Sequence, residues 1–244
     1  EVYCLNAENG AILWHHEVSK GPPKLPVQIP HETTLAASTM ATDGERVFAI
    51  FGTSDLVALD FAGKPIWSKN LGPINNPYGH SSSLAIADDL LLVQLDQRSN
   101  GAFYGIDART GSVRWKTDQK FHPAWSTPVI TEIAGKKQAI LTAAPAVAGY
   151  DLKTGAELWH VDCFEEAEVA PSAVIANGHI LVAAENLGMF SIDPAKRSAV
   201  WKQDQDAPGV VTSVVAGDLI FYGMNEDRKS TRLNSSHVSE SRMP

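Results

Sequence analysis

Three histidines stand at comparable places in the chain. His31, His80 and His122 each lie just ahead of a run of small residues. Three imidazoles drawn to one point make a transition-metal site, because neutral ring nitrogens suit zinc, copper, iron or nickel. The same placement also suits histidines that merely cap the starts of strands. Glu165, Glu166 and Glu168 concentrate carboxylates in one short stretch. They read either as a solvated acidic loop or as oxygen ligands for calcium or another cation. Trp125 precedes Ser126-Thr127-Pro128. Its ring can stack on a planar ligand or pack against a neighbouring loop. The only cysteines, Cys4 and Cys163, are far apart and match no metal-ligand spacing.

Composition bounds what these residues can serve. The chain has 244 residues, 44% hydrophobic and 20% charged. That suits a globular domain with a sizeable core. No apolar run approaches the roughly 20 residues of a transmembrane helix. The net charge of -8 is concentrated outside the last residues, which carry Arg228, Lys229, Arg232 and Arg242 against Glu240. An acidic surface repels phosphates, so nucleic acid is excluded as a partner.

The elements that position the candidates follow from an internal repeat. Five segments share one ending: a short apolar strand, an Asp or Asn, a turn, and a second strand carrying Trp. Their tryptophans are Trp14, Trp67, Trp115, Trp159 and Trp201, 42 to 53 residues apart. That period is close to a propeller blade and longer than most helical solenoid repeats. The strand-ending residues are Asn6, Asp60, Asp107, Asp151 and Asp193. A carboxylate or amide there accepts hydrogen bonds from the turn backbone. Gly10, Gly63, Gly111 and Gly155 supply the positive φ of the hairpin. A Trp repeated once per unit is expected to glue adjacent blades, since one blade alone cannot bury the ring.

The first half of each unit repeats as well. Small residues lead a strand, then Asp43-Gly44, Asp88-Asp89, Asn177-Gly178 or Gly217-Asp218 marks a turn into a second strand. Small side chains fit the crowded centre of a propeller. The spacing therefore predicts an all-β fold, a β-propeller of four-stranded antiparallel blades. It predicts the end of one blade (about 1–17), four whole blades (about 33–69, 81–118, 124–161 and 170–203) and the start of a sixth (about 211–224), from a ring of seven or eight. Residues 1–227 are assigned to the propeller. Residues 228–244 are serine-rich, lack aromatics and break the pattern, so they are assigned to a non-native or disordered tail. The chain is expected to be cut at both ends and to expose strand edges there.

The motif Asp-x-x-Thr-Gly-x-x-x-Trp is intact at Asp107–Trp115 and Asp151–Trp159. It resembles the tryptophan-docking motif of pyrroloquinoline-quinone (PQQ)-like propellers, the superfamily that includes quinoprotein alcohol dehydrogenases. The copy at Asp60–Trp67 is one residue shorter, and the copy at Asp193–Trp201 lacks the Gly. The chain most resembles the outer-membrane assembly lipoprotein type. That resemblance implies a periplasmic or cell-envelope scaffold. A protein partner or small ligand would bind on the channel face, with His31, His80, His122, Trp125 and Glu165 as candidates at the channel mouth. The dehydrogenase branch implies a quinone held against a disulfide of adjacent cysteines, a calcium ion and an Asp base. No adjacent cysteines occur here, and Asp60, Asp107, Asp151 and Asp193 belong to the turn motif, so PQQ is not supported by the visible residues. The alternatives are a quinone- or metal-dependent oxidoreductase, and a sensor propeller fused to a catalytic domain.

Overall fold

The computed structural model describes residues 1–19, 34–204 and 207–223, together with the backbone of 238–242. His31 lies outside the described residues. The chain divides into two compact units, Glu1–Lys120 and Phe121–Pro244.

In the first unit, β1 (Val2–Leu5) and β2 (Ile12–His16) form a two-stranded hairpin. Two four-stranded sheets follow. One contains β3 (Ala41–Thr42), β4 (Arg46–Ile50), β5 (Asp55–Asp60) and β6 (Pro65–Asn70). The other contains β7 (Ala85–Ala87), β8 (Leu90–Leu95), β9 (Gly101–Asp107) and β10 (Val113–Gln119). Each is an antiparallel meander in sequence order, as expected of a blade.

In the second unit, β11 (Val129–Ile133), β12 (Lys136–Ala143), β13 (Ala146–Asp151) and β14 (Glu157–Asp162) form one four-stranded sheet. A second comprises β15 (Val174–Ala176), β16 (His179–Ala184), β17 (Gly188–Asp193) and β18 (Ser198–Gln203). The third comprises β19 (Val214–Ala216), β20 (Leu219–Gly223) and β21 (Val238–Arg242). The four predicted whole blades are thus the four four-stranded sheets. The segment assigned to a tail outside the fold contributes β21, which runs antiparallel to β20 with Leu219 opposite Arg242 and Gly223 opposite Val238. An unpaired edge presents N–H and C=O groups that an extended segment of matching length can satisfy.

The repeated turn is built as the side chains dictate. Asp107 Oδ1 accepts from the Arg109 and Thr110 amides at 3.1 and 2.8 Å and from Thr110 Oγ1 at 2.9 Å. Asp151 repeats the pattern with Lys153 and Thr154. Asp60 serves Ala62 and Lys64, and Asp193 serves Ala195 and Lys196. In the turn that lacks Gly, Arg197 takes the left-handed conformation instead, with φ 55°.

Each Trp stands opposite a small residue of its own blade. The cross-strand pairs are Trp14–Cys4, Trp67–Ala58, Trp115–Gly105, Trp159–Gly149 and Trp201–Ser191. A bulge follows each pairing. Within the first unit, Trp14 and Trp67 also reach the next blade. Their indole N–H groups donate to the carbonyls of Phe61 and Ala108, both at 2.9 Å. Their rings lie on Gly63 and Gly111, where an added Cβ would come within 2.6 and 2.7 Å of them. Trp159 differs: its N–H donates to Gln138 Oε1 of its own blade at 2.9 Å. The neighbouring blade offers Arg197 rather than Gly at the turn.

The Ser and Thr residues at the inner-strand entrances have a second role besides being small. The Thr39 amide donates to Ser83 Oγ of the next blade at 2.9 Å. In the second unit, Thr127 N donates to Ser172 Oγ at 2.9 Å, and Ser172 N to Thr212 Oγ1 at 3.0 Å. A short hydroxyl at this position links the starts of successive blades. Apolar side chains fill the space between sheets. Phe48, Ile50 and Leu56 meet Leu91, Val93 and Ile106 in the first unit, and Trp159 meets Phe164, Val182 and Phe190 in the second.

Candidate functional site

The Glu-rich loop lies between β14 and β15. Phe164 anchors it: the ring is 0% exposed and packs edge-on against Phe190, with centroids 6.0 Å apart. The amides of Cys163 and Phe164 both donate to the Pro145 carbonyl at 3.0 Å, and Ala167 N donates to the Phe164 carbonyl at 2.9 Å. The intervening Glu165 adopts φ 47° and is exposed with Glu166 and Glu168. Across from this loop, the turn between β16 and β17 presents Glu185 and Leu187. Loop and turn bound an open groove of about 430 Å³ with Glu165, Glu166, Glu168 and Glu185 in its lining. The part-buried Ala167 and Leu187 also line it and pack on the core cluster that contains the buried Phe164. Four carboxylates without a basic residue among the lining side chains favour positively charged groups.

Of the other candidates, His80 belongs to the first unit, and His122 and Trp125 belong to the second. His122 is exposed, and its amide donates to the Ala144 carbonyl at 2.9 Å. Trp125 is half-buried, and its amide donates to the Val169 carbonyl at 3.0 Å, beside the parallel bridge of Ala124 with Val169. His80 is buried at 5% exposure, and burial lowers its pKa to about 4, opposed by a hydrogen bond with the Ser82 backbone. Among the described residues, no three His, Cys, Asp or Glu side chains come together as a metal site. Glu165, Glu166 and Glu168 are exposed along the loop.

The first unit also holds a buried polar patch that matches no motif. Gln94 and Asp96 alternate with Val93 and Leu95 at the end of β8, and both are buried. The Gln94 amide donates to the Asp96 carboxyl. Burial raises the Asp96 pKa to about 7, and the Gln94 hydrogen bond only partly opposes it. The alternation of two polar residues in Leu-Val-Gln-Leu-Asp was the available signal.

The turn carboxylates are committed elsewhere. Arg114 bridges Asp89 and Asp107, and this guanidinium holds the Asp107 carboxyl well below the usual range, helped by Thr110. Lys136, with the Thr154 and Lys153 amides, lowers Asp151 to about 2. Such groups are permanently ionised acceptors rather than proton-transfer groups at neutral pH. Cys4 and Cys163 are both free, and burial pushes the Cys163 thiol up to about 12. An adjacent-cysteine disulfide of the kind that clasps a quinone cannot form from them, so the residues present do not fit PQQ.

A family model described as "Outer membrane protein assembly factor BamB" matches residues 1–237. No curated protein matches the chain. Among solved structures, BamB from Moraxella catarrhalis is similar with a TM-score of 0.65 and 15% identity, over 89% of this chain and 60% of that one. The quinohemoprotein alcohol dehydrogenase ADHIIG from Pseudomonas putida HK5 gives 0.56 and 13%, over 83% and 39%. The computationally designed Ika8 protein gives 0.54 and 13%, over 76% and 54%. The chain thus spans about 60% of the length of the Moraxella protein. At these identities the likeness establishes the propeller fold, which hosts unrelated functions.

Proposed function

The chain belongs to the outer membrane protein assembly factor BamB family, and from that premise we propose that it is a non-enzymatic propeller that binds a protein partner in the cell envelope. The observation that carries this reading is the groove at 164–168 and 185–187, lined by four carboxylates with Ala167 and Leu187 among them. A basic side chain with an aliphatic stem suits that combination, because the stem meets the part-buried Ala167 and Leu187 while the charged head meets the carboxylates. The commitment of Asp60, Asp107, Asp151 and Asp193 to turn hydrogen bonds supports a scaffold over an enzyme that needs one of them as a base. Among the described residues no helix is long and apolar enough to cross a membrane.

A fluorescence titration with a Lys/Arg-rich decapeptide tests the groove. Wild-type protein is expected to bind with an affinity that falls as salt is raised. The triple variant Glu165→Lys, Glu166→Lys, Glu168→Lys is expected to lose at least tenfold in affinity, while a neutral Ser/Gly decapeptide binds neither protein. Equal binding by wild type and variant would remove the groove from the reading. Stoichiometric uptake of PQQ with calcium would favour an oxidoreductase instead.

A further inference from the structure

The hairpin at Gly10 has the form of two others that hold an indole. Gly10 N donates to the Asn6 carbonyl at 2.9 Å, as Gly111 N does to the Asp107 carbonyl at 2.8 Å. Gly63 and Gly111 lie under the Trp14 and Trp67 rings, whose N–H groups donate to the carbonyl of the residue after the turn Asp, Phe61 or Ala108. At Gly10, φ is 74° and nothing lies within 4 Å of an added Cβ. Ala7, the residue after Asn6, supplies the corresponding carbonyl. The strand beside this hairpin is uncovered in the same way. By register to the residue opposite Trp, Tyr3 and Leu5 correspond to Val57 and Leu59. Val57 and Leu59 are 1% and 0% exposed, packed with Val2 and Trp14 of the preceding hairpin, whereas Tyr3 and Leu5 are each 51% exposed. Among the described residues β1 pairs with β2 alone, so its other edge presents free N–H and C=O groups.

The second unit has the complementary lack. Trp201 is half-buried against Leu181, Met189, Ile220 and Tyr222, between the β15–β18 sheet and the β19–β21 sheet. The indole hydrogen bonds of Trp14, Trp67 and Trp159 have no counterpart at Trp201 among the described residues. The third strand of the sheet it faces is β21, Val-Ser-Glu-Ser-Arg, which carries none of the Asp, Gly or Trp of the repeat. That sheet thus has the first two strands of a repeat unit, β19 and β20, and the β1–β2 hairpin is the last two. We propose that two copies of this chain associate head to tail: the β1–β2 hairpin of one copy takes the place of β21 on β20 of the other, Trp201 seats on Gly10 of the second copy, and its N–H donates to the Ala7 carbonyl there.

The occupant follows from the two filled sockets, which fix both its chemistry and its placement. Strand pairing on β20 exchanges the hydrogen bonds of β21 for those of β1. The gain over β21 is the burial of Tyr3, Leu5 and an indole with a matched acceptor. The two joined surfaces differ, so the contact is heterologous, and a copy damaged at one surface keeps the other.

Sedimentation velocity of the full chain between about 1 and 100 μM tests the contact. Wild type is expected to pass from monomer to dimer and longer species as concentration rises. In Gly10→Ala the new Cβ meets nothing within its own copy but stands where the indole seats, so association is expected to weaken at least about tenfold. Leu5→Lys, at an exposed position, is expected to weaken it by a similar factor without touching the turn. Trp201→Phe keeps a ring against Ile220 and Tyr222 but removes the N–H, and is expected to weaken association as well. Gly10→Ala retains a competent Trp201, and Trp201→Phe retains a competent Gly10, so an equimolar mixture of the two is expected to form a dimer and nothing larger. A wild type that stays monomeric, variants that associate as wild type does, or a mixture that does not regain the dimer would each overturn the proposal.

Discussion

Replacing Gly111 with alanine destabilises the chain by about 3 kcal/mol, the range for a strained backbone combined with a disrupted buried ring. In a chain of this size that lowers the melting midpoint by roughly 10 °C. Two costs add. The residue has φ 71°, which an L side chain adopts with strain, and its new Cβ would stand 2.7 Å from Trp67. The indole must shift, and its hydrogen bond to the Ala108 carbonyl goes with it. Gly10→Ala separates the two costs. Gly10 has φ 74° in the equivalent turn, but nothing lies within 4 Å of an added Cβ. It is expected to lose only about 1 kcal/mol, the backbone penalty alone. Thermal or urea unfolding of both variants provides the check. Equal losses would mean that the Trp67–Gly111 contact contributes nothing beyond the turn.

Phe164→Ala is expected to cost about 3 to 4 kcal/mol, as for other fully buried aromatic truncations. The ring lies behind the acidic groove, under Ala167 and Leu187, and is part of the core shared by two blades. Its loss opens a cavity against Phe190 and frees the loop that carries Glu165, Glu166 and Glu168. Glu166→Lys, by contrast, is expected to change stability by less than about 0.5 kcal/mol, because the side chain is exposed. A urea unfolding series on the two variants checks the contrast. If Phe164→Ala were as stable as wild type, the loop would not be anchored through this ring. The pair also separates the site's frame from its chemistry: the first variant loses both stability and peptide binding, the second loses binding alone.

The parts of the fold written in local patterns were legible. Asp107-Ala108-Arg109-Thr110-Gly111 closes its own turn, since Asp107 Oδ1 accepts from the Arg109 and Thr110 amides and the Gly111 amide donates to the Asp107 carbonyl. The Trp14 and Trp67 rings lie on Gly63 and Gly111 of the next hairpin, a contact that depends on those glycines as much as on the size of the ring. The small residue opposite each Trp was also present in the sequence, at Cys4, Ala58, Gly105, Gly149 and Ser191, always two positions before the turn Asp or Asn. Its meaning is visible only once the strands are paired. Ser83, Ser172 and Thr212 belong to the small residues that lead the first strand of each unit, and their hydroxyls are acceptors for a neighbouring blade.

The site was less legible for a physical reason. The groove joins Glu165, Glu166 and Glu168 to Glu185, which belongs to the next blade and shares no motif with them. Position in the repeat did not determine environment either: His80 is buried and His122 is exposed, although both precede an inner strand. Asp96 was hidden because it ends an apolar strand, where a carboxyl survives only by remaining largely uncharged or by finding a partner.

The central claim is that this propeller is a partner-binding scaffold that uses the acidic groove. It is tested most directly by photo-crosslinking in cells that produce the protein, with the crosslinking residue at position 166 and a control at position 153 on a turn of the same unit. The account predicts one dominant protein adduct from position 166, none from position 153, and loss of the adduct when Glu165, Glu168 and Glu185 are changed to Lys. An adduct that survives those charge reversals, or equal labelling from both positions, would contradict it.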